Sequence, residues 1–389
     1  MLIKNVKLVL QNEVTEPTCL RTEAGRITET GALSPLPTEE VIEGEGGYLF
    51  PGFIDVHVHG GGGADFMDAT PEAFERAVRT HLAFGTTTLV PTAMSATRAE
   101  LADFIRAYKA FKKTSKYADL AHGLHLEGPY FAGGNGKSRG AQKADVIRPI
   151  DLFETAELLS LAEGEILRWD AAPELEKSAE FAHLVTEAGA IAAVGHSRAT
   201  AEETAKGFDA GFSHVTHFYN ACTMYEKRDQ VVTAGTVEAT YLDPRATVEL
   251  IADGKHIPRY CLLLALKIKG EDGVLGITDA TRLAGTDASR GVLGSLTAGT
   301  EVIVEDGVAK LPDRTSFAGS ICTMARALRV LCVDYGIPPV TAAKMLSTSP
   351  ARHIGRTDIG RIAVGMRADL VLADESFAVK RVMKDGKQA

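Results

Sequence analysis

The sequence predicts an α/β fold: a (β/α)8 barrel of the TIM type, with a small β-sandwich domain built from both chain termini. Three observations predict it. Between residues 51 and 355, short apolar strands alternate with polar loops and amphipathic helices, the rhythm of parallel strands joined by helical crossovers. The first fifty residues read as strands only, and the chain returns to β texture over residues 356–389. No Gly-x-Gly-x-x-Gly follows the first strand of the repeating region, which weakens a dinucleotide-binding sheet as the alternative.

Strands are expected at residues 2–10, 15–22 and 27–29, with a turn at Ala24-Gly25-Arg26 and Gly, Pro and Asn as punctuation. Gly44-Glu45-Gly46-Gly47 closes this unit. The eight strands of the repeating region are expected at 53–58, 87–92, 121–126, 169–172, 191–194, 214–217, 248–252 and 274–278. Helices are expected at 71–84, 98–111, 150–162, 174–187 and 201–210, and a last helix around 341–345. Three closing strands follow: Gly360-Arg361-Ile362, Asp369-Leu370-Val371-Leu372 and residues 379–383, the last ending in a Lys384-Asp385-Gly386 turn. The domain division is therefore 1–50, 51–355 and 356–389, with the first and third pieces forming one unit.

Composition narrows the function. The 389 residues carry 42 Lys and Arg against 51 Asp and Glu, a net charge of −9. An acidic chain without a basic tract lacks the cations that neutralise phosphates in a nucleic-acid complex. No apolar run reaches the roughly 20 residues needed to cross a bilayer, and residues 1–15 lack the pattern of a signal peptide. Five scattered cysteines (Cys19, Cys222, Cys261, Cys322, Cys332) contain no Cys-x-x-Cys and do not suggest a disulfide framework. A soluble cytoplasmic protein with a small-molecule substrate is expected, with neither a nucleic acid nor a membrane as partner.

The strongest chemical signal is Asp55-Val56-His57-Val58-His59-Gly60. Residues two apart on a strand share a face, so His57 and His59 present two imidazoles side by side at the end of the first strand. Later strands also end in metal-ligand residue types: His125-Leu126-Glu127-Gly128-Pro129, Gly195-His196-Ser197, His214-Val215-Thr216-His217 and Thr278-Asp279-Ala280. A lone histidine there is usually a hydrogen-bonded core residue, and Asp279 alone could also cap a following helix, the lesser of its two readings. Together, converging on the end where barrel enzymes place their sites, they describe a divalent metal centre with a spare carboxylate. His214 and His217 are three apart and face opposite ways, so only one joins the site; His217 lies nearer the strand end. Glu127 is preferred to His125 on the same ground and for its charge.

These motifs resemble the amidohydrolase superfamily and, within it, the N-acetylglucosamine-6-phosphate deacetylase family. The likeness runs from Pro51-Gly52-Phe53-Ile54-Asp55 through the motifs above to His217-Phe218-Tyr219-Asn220-Ala221, Ala252-Asp253-Gly254-Lys255-His256 and Phe317-Ala318-Gly319-Ser320. The His-x-His and Asp elements are shared across the superfamily; the His-Leu-Glu-Gly-Pro, His-x-x-Asn-Ala and Asp-Gly-x-His elements are narrower.

The resemblance implies metal-dependent hydrolysis of the acetamide of N-acetylglucosamine 6-phosphate to glucosamine 6-phosphate and acetate, in amino-sugar catabolism. It implies Glu127, His196 and His217 as ligands of a principal ion, with His57 and His59 able to hold a second. One or two divalent ions per subunit are expected, zinc foremost, with iron, manganese or cobalt as alternatives. Asp279 becomes the general acid/base. Asn220 and Ala221 hold the sugar phosphate, and His256 contacts the sugar and the acetyl oxygen. Arg228 matches an arginine that reaches the phosphate across a homodimer interface. The family's Arg-Glu-Pro-Gly is here Arg228-Asp229-Gln230-Val231, which leaves Lys227 as the alternative cation. Gln142, in Gly140-Ala141-Gln142, replaces a family histidine; it can hydrogen-bond a sugar hydroxyl but cannot titrate. The competing readings are the galactosamine-6-phosphate epimer as substrate, another amidohydrolase activity such as heterocycle deamination or cyclic-amide opening, and a catalytically silent scaffold.

Overall fold

The computed structural model describes residues 1–133 and 137–389 and, of these, every side chain except those of Lys137 and Arg228. Eight strands form one parallel sheet: β1 (Phe53–Val58), β2 (Thr86–Ala93), β3 (Leu124–Tyr130), β4 (Ile166–Ala171), β5 (Ile191–Val194), β6 (Phe212–Val215), β7 (Thr247–Ile251) and β8 (Val274–Ile277). They pair in sequential order from β1 to β8. Each is short, apolar and almost wholly buried, as strands covered on both faces must be.

The two outer strands of this sheet meet. Val58 bridges Ala280 in parallel, Asp279 N–H donates to His57 O at 3.0 Å, and His59 N–H donates to Ala280 O at 2.8 Å. The Thr278 hydroxyl donates to Asp55 Oδ2 at 2.5 Å. Burial pushes the Asp55 carboxyl up to about 7.

Helices α1 (Pro71–Ala83), α2 (Arg98–Thr114), α3 (Leu152–Ala162), α4 (Ser178–Glu187) and α5 (Ala201–Asp209) lie between successive strands from β1 to β6. Their starts follow from local chemistry. Thr97 and Thr200 form capping boxes with Glu100 and Glu203, and Thr70 caps α1 ahead of Pro71. These side chains satisfy N–H groups that have no partner inside the helix.

Strands from both ends of the chain share a second, mixed sheet. Its order is Lys387–Gln388, Val379–Lys384, Leu370–Ala373, Tyr48–Pro51, Leu2–Leu8, Thr18–Glu23 and Arg26–Gly31, with Val41–Glu43 also on Leu2–Leu8. It has its own apolar cluster, including Ile3, Leu20, Leu49, Leu370 and Met383. Tyr48–Pro51 passes into β1 through Gly52. A Cβ there would lie 2.2 Å from the Thr87 hydroxyl, so the close approach of β2 requires glycine.

The fourth strand starts at Ile166 and not at 169, and the fourth helix at Ser178 and not at 174; three further expectations need correction. The third strand starts at Leu124 and not at 121, because Gly123 holds φ at +72°. The sixth ends at Val215, so His217 stands in the following turn with φ +29°. Gly360-Arg361-Ile362 is not a strand. Gly360 adopts φ +87° against Ser347 and Ala351, which docks this segment on the last helix.

The sequence reading also missed the strands Val41–Glu43 and Tyr48–Pro51 of the terminal sheet, the short pair Gly60–Gly61 with Ala64–Asp65, the hairpin Glu226–Arg228 with Val231–Thr233, and the three antiparallel strands Arg290–Leu293, Thr300–Glu305 and Val308–Lys310. Among the described residues no helix is long and apolar enough to cross a membrane, and all five cysteines are free thiols.

Trp169, on β4, tests the core. It is fully buried, donates from its indole N–H to Gly128 O at 2.8 Å, stacks on Tyr130 and meets Phe181 edge-on. Trp169→Ala should lower unfolding stability by about 3–5 kcal/mol, read by denaturant melts followed by circular dichroism.

Candidate metal centre

The C-terminal ends of the parallel strands bring together the residues that the motifs singled out. Glu127 comes from β3, His196 follows β5, and His217 follows β6. Both imidazole Nε2 atoms lie 2.9 Å from Glu127 Oε1 and 3.1 Å from each other. A second group joins the two outer strands: His57 and His59 from β1 with Asp279 after β8. Here the Nε2 atoms are 3.2 Å apart and lie 3.5 Å and 3.1 Å from Asp279 Oδ1. In each group one donor atom per residue falls within 4.8 Å of the others, and all six residues are buried. Asp279 caps no helix; it sits at φ +50° with its carboxylate on His59.

The hydrogen bonds behind these rings test whether a cation fits. Ser138 O lies 2.8 Å from His196 Nδ1, and Glu249 Oε2 lies 2.9 Å from His57 Nδ1. A carbonyl or carboxylate oxygen can only accept, so each Nδ1 carries the proton. The neutral ring then points a bare Nε2 lone pair at a carboxylate and at another imidazole nitrogen. Lone pairs facing one another in a buried site call for a positive charge between them. The Nδ1 atoms of His59 and His217 have no hydrogen-bond partner among the described residues, so nothing else commits those two rings. Nitrogen and carboxylate donors of this number suit a divalent transition metal.

The electrostatics agree. Burial disfavours charge on all of these groups, yet His196 and His217 hold Glu127 well below the usual carboxylate range. His57 and His59 keep Asp279 low against the same penalty. Conversely, Glu127 and Asp279 overcome burial to push His59 and His217 up to about 9. Without an ion, protons on His59 and His217 balance the two carboxylates; a bound divalent cation would take their place.

His125 and His214, set aside above in favour of Glu127 and His217, point into the sheet interior. His125 Nε2 contacts Asp170 at 2.9 Å, and burial together with Arg168 pushes the ring down to about 3. His214 Nε2 faces Arg168. The sequence reading missed this inner layer of Arg168, Asp170 and Glu249, each nearly inaccessible. The available signal was a charged residue inside an apolar strand, as in Arg168-Trp169-Asp170 and Val248-Glu249-Leu250.

An open cavity lies over the centre, at the end of the strands where barrel enzymes bind small molecules. Asn220, Ala221, His256, Gln142 and Phe317 line it. Asp253 accepts from His256 Nδ1 at 2.8 Å and fixes that ring, which packs on Phe317. Gln142 Oε1 accepts from Ser95 N–H at 3.0 Å, and its amide donates to Glu127 Oε2 at 2.8 Å. One amide N–H is thus spent on Glu127, and the amide nitrogen also makes a long contact with Met94 Sδ at 3.9 Å. The Arg228 side chain lies outside the described residues. Its backbone belongs to the Glu226–Arg228 strand, where Lys227 is exposed.

The chain was compared with known proteins. A model of the Amidohydrolase family matches residues 48–389. The N-acetylglucosamine-6-phosphate deacetylase of Lysinibacillus sphaericus is 30% identical, covering 100% of this chain and 97% of that protein. The N-acetylgalactosamine-6-phosphate deacetylase of Escherichia coli O157:H7 is 31% identical over 92% of each. The crystal structure of N-acetyl-D-glucosamine-6-phosphate deacetylase from Mycobacterium smegmatis superimposes with a TM-score of 0.89, at 32% identity and 100% coverage of both chains. With this coverage, and with histidines and carboxylates gathered at the strand ends, the chain belongs to the amidohydrolase family.

Proposed function

We propose that this enzyme hydrolyses the acetamide of N-acetylglucosamine 6-phosphate, releasing acetate and glucosamine 6-phosphate, as a step of amino-sugar catabolism. The observation that carries the reading is the convergence of Glu127, His196 and His217 with His57, His59 and Asp279 beneath one cavity. The names of the relatives above support the substrate class. They divide between the gluco and galacto epimers, so the galactosamine 6-phosphate derivative is the second reading.

Glu127, His196 and His217 would hold the principal ion, and His57, His59 and Asp279 a second; zinc is the first candidate, then iron, manganese or cobalt. Such an ion supplies Lewis acidity to the acetyl carbonyl and lowers the pKa of the attacking water toward about 7. Asp279 accepts the proton that water loses as its oxygen bonds to the acetyl carbon. When the C–N bond breaks, Asp279 returns that proton to the departing amine, so the base of the first step is the acid of the second. His256, held by Asp253, steadies the developing oxyanion. Asn220, the Ala221 backbone N–H and Gln142 orient the sugar phosphate. Arg228, or Lys227, reaches the phosphate from the other subunit of a cytoplasmic homodimer.

The architecture read with this function is a (β/α)8 barrel over residues 51–355, with the terminal strands as a small β-sandwich. The contacts between β1 and the end of β8 support closure, and the separate apolar cluster of the terminal strands supports the division.

Acetate release from a panel of N-acetylated hexosamines, with and without the 6-phosphate, tests the proposal. Turnover is expected only with the phosphorylated sugars, and no acetate from either epimer would refute it. Asp279→Asn should lower kcat by about 10²–10⁴-fold while the ion of Glu127, His196 and His217 stays bound. His196→Ala should empty that site on elemental analysis; full retention would show that another residue holds the ion.

A further inference from the structure

We infer that Glu249 is a positioning residue that fixes the tautomer and orientation of His57, and thereby the affinity of the His57–His59–Asp279 group for a cation. This rests on the reading of that group as an ion site. Glu249 stands on β7, fully buried, beside the outer strand β8 and six strands from β1 in the pairing order, yet directly behind the β1 histidine. Its Oε2 accepts the His57 Nδ1 proton at 2.9 Å. That bond leaves the Nε2 lone pair facing His59 and Asp279. The same oxygen accepts the backbone N–H of His217 at 3.2 Å, so one carboxylate braces members of both donor groups.

Glu249 is itself held from below. Arg168 pairs with its Oε1 and also donates to Val56 O at 3.3 Å. The guanidinium nitrogen that donates to Val56 O also lies 2.7 Å from His125 Nδ1. The carboxylate therefore cannot swing away from His57 without giving up its buried ion pair with Arg168, which is costly. An anion behind a ligating imidazole also raises its basicity, and losing such a partner typically costs about 10–100-fold in metal affinity.

The test is zinc binding by metal-stripped protein, measured by equilibrium dialysis and elemental analysis on wild type, Glu249→Gln and His57→Ala. Glu249→Gln should weaken binding at the His57–His59–Asp279 group by about 10–100-fold and leave the Glu127–His196–His217 ion in place. Unchanged affinity, or equal weakening at both groups, would overturn the inference. Because Glu249→Gln takes a buried ion-pair partner from Arg168, the paired variant Arg168→Met with Glu249→Leu removes both charges and should show the same selective loss. If neither variant folds, Glu249 serves the fold and the inference falls. His57→Ala separates the two levels. Loss of an ion there with none in Glu249→Gln refutes only the positioning role; no loss in His57→Ala refutes His57 as a ligand, and the positioning role with it.

Discussion

The meeting of β1 with the residues after β8 is the contact on which the candidate site depends. These two strands are the outermost in the pairing order, so His57 and His59 belong to one edge of the sheet and Asp279 to the other. They come within 3.5 Å because Asp55 takes the Thr278 hydroxyl and the backbones exchange hydrogen bonds at His57, His59, Asp279 and Ala280. Open that contact by a few ångströms and the second donor group ceases to exist, while Glu127, His196 and His217, which all come from inner strands, remain. One donor group is thus a product of local strand order and the other of closure at the edges.

A site of this kind concentrates charge where water is scarce, and the inner layer shows how the protein tolerates it. Glu249, Asp170 and Arg168 sit immediately below the ligand-type residues, mutually paired and bonded to His57, His125 and His214. Isolated, any of them would be expensive to bury; as a network they satisfy one another. The same network dictates which histidines face the cavity. His125 and His214 are tied inward, whereas His59 and His217 have a ring nitrogen without a partner among the described residues and are left to the centre.

The loops above the strands decide what enters. Phe317 and Leu293, which line the cavity, come from the segment that carries the three antiparallel strands after β8. Gln142 reaches from the loop beyond β3 to grip Glu127. Strand ends therefore set the chemistry, and inserted segments shape the space over it, the division of labour usual where loops decorate a rigid scaffold.

Much of this was legible in the linear sequence. Short, mostly apolar runs of four to six residues marked the parallel strands, and the boundaries of β1 and β5 agree with the reading, because strands buried on both faces are largely apolar. The period of two placed His57 and His59 together, and position at strand ends separated Glu127 from His125 and His217 from His214. Glu249 and Arg168 escaped notice because a charge inside an apolar strand has no meaning until its partners on other strands are known. The pairing of Asp279 with His57 across the sheet edges, the turn of Gln142 toward Glu127 and the docking of residues 360–362 on the last helix were decided only by the tertiary structure. Each depends on contacts between residues far apart in the chain, and those contacts are set by how strands close and loops pack, not by any pattern a local stretch of sequence contains.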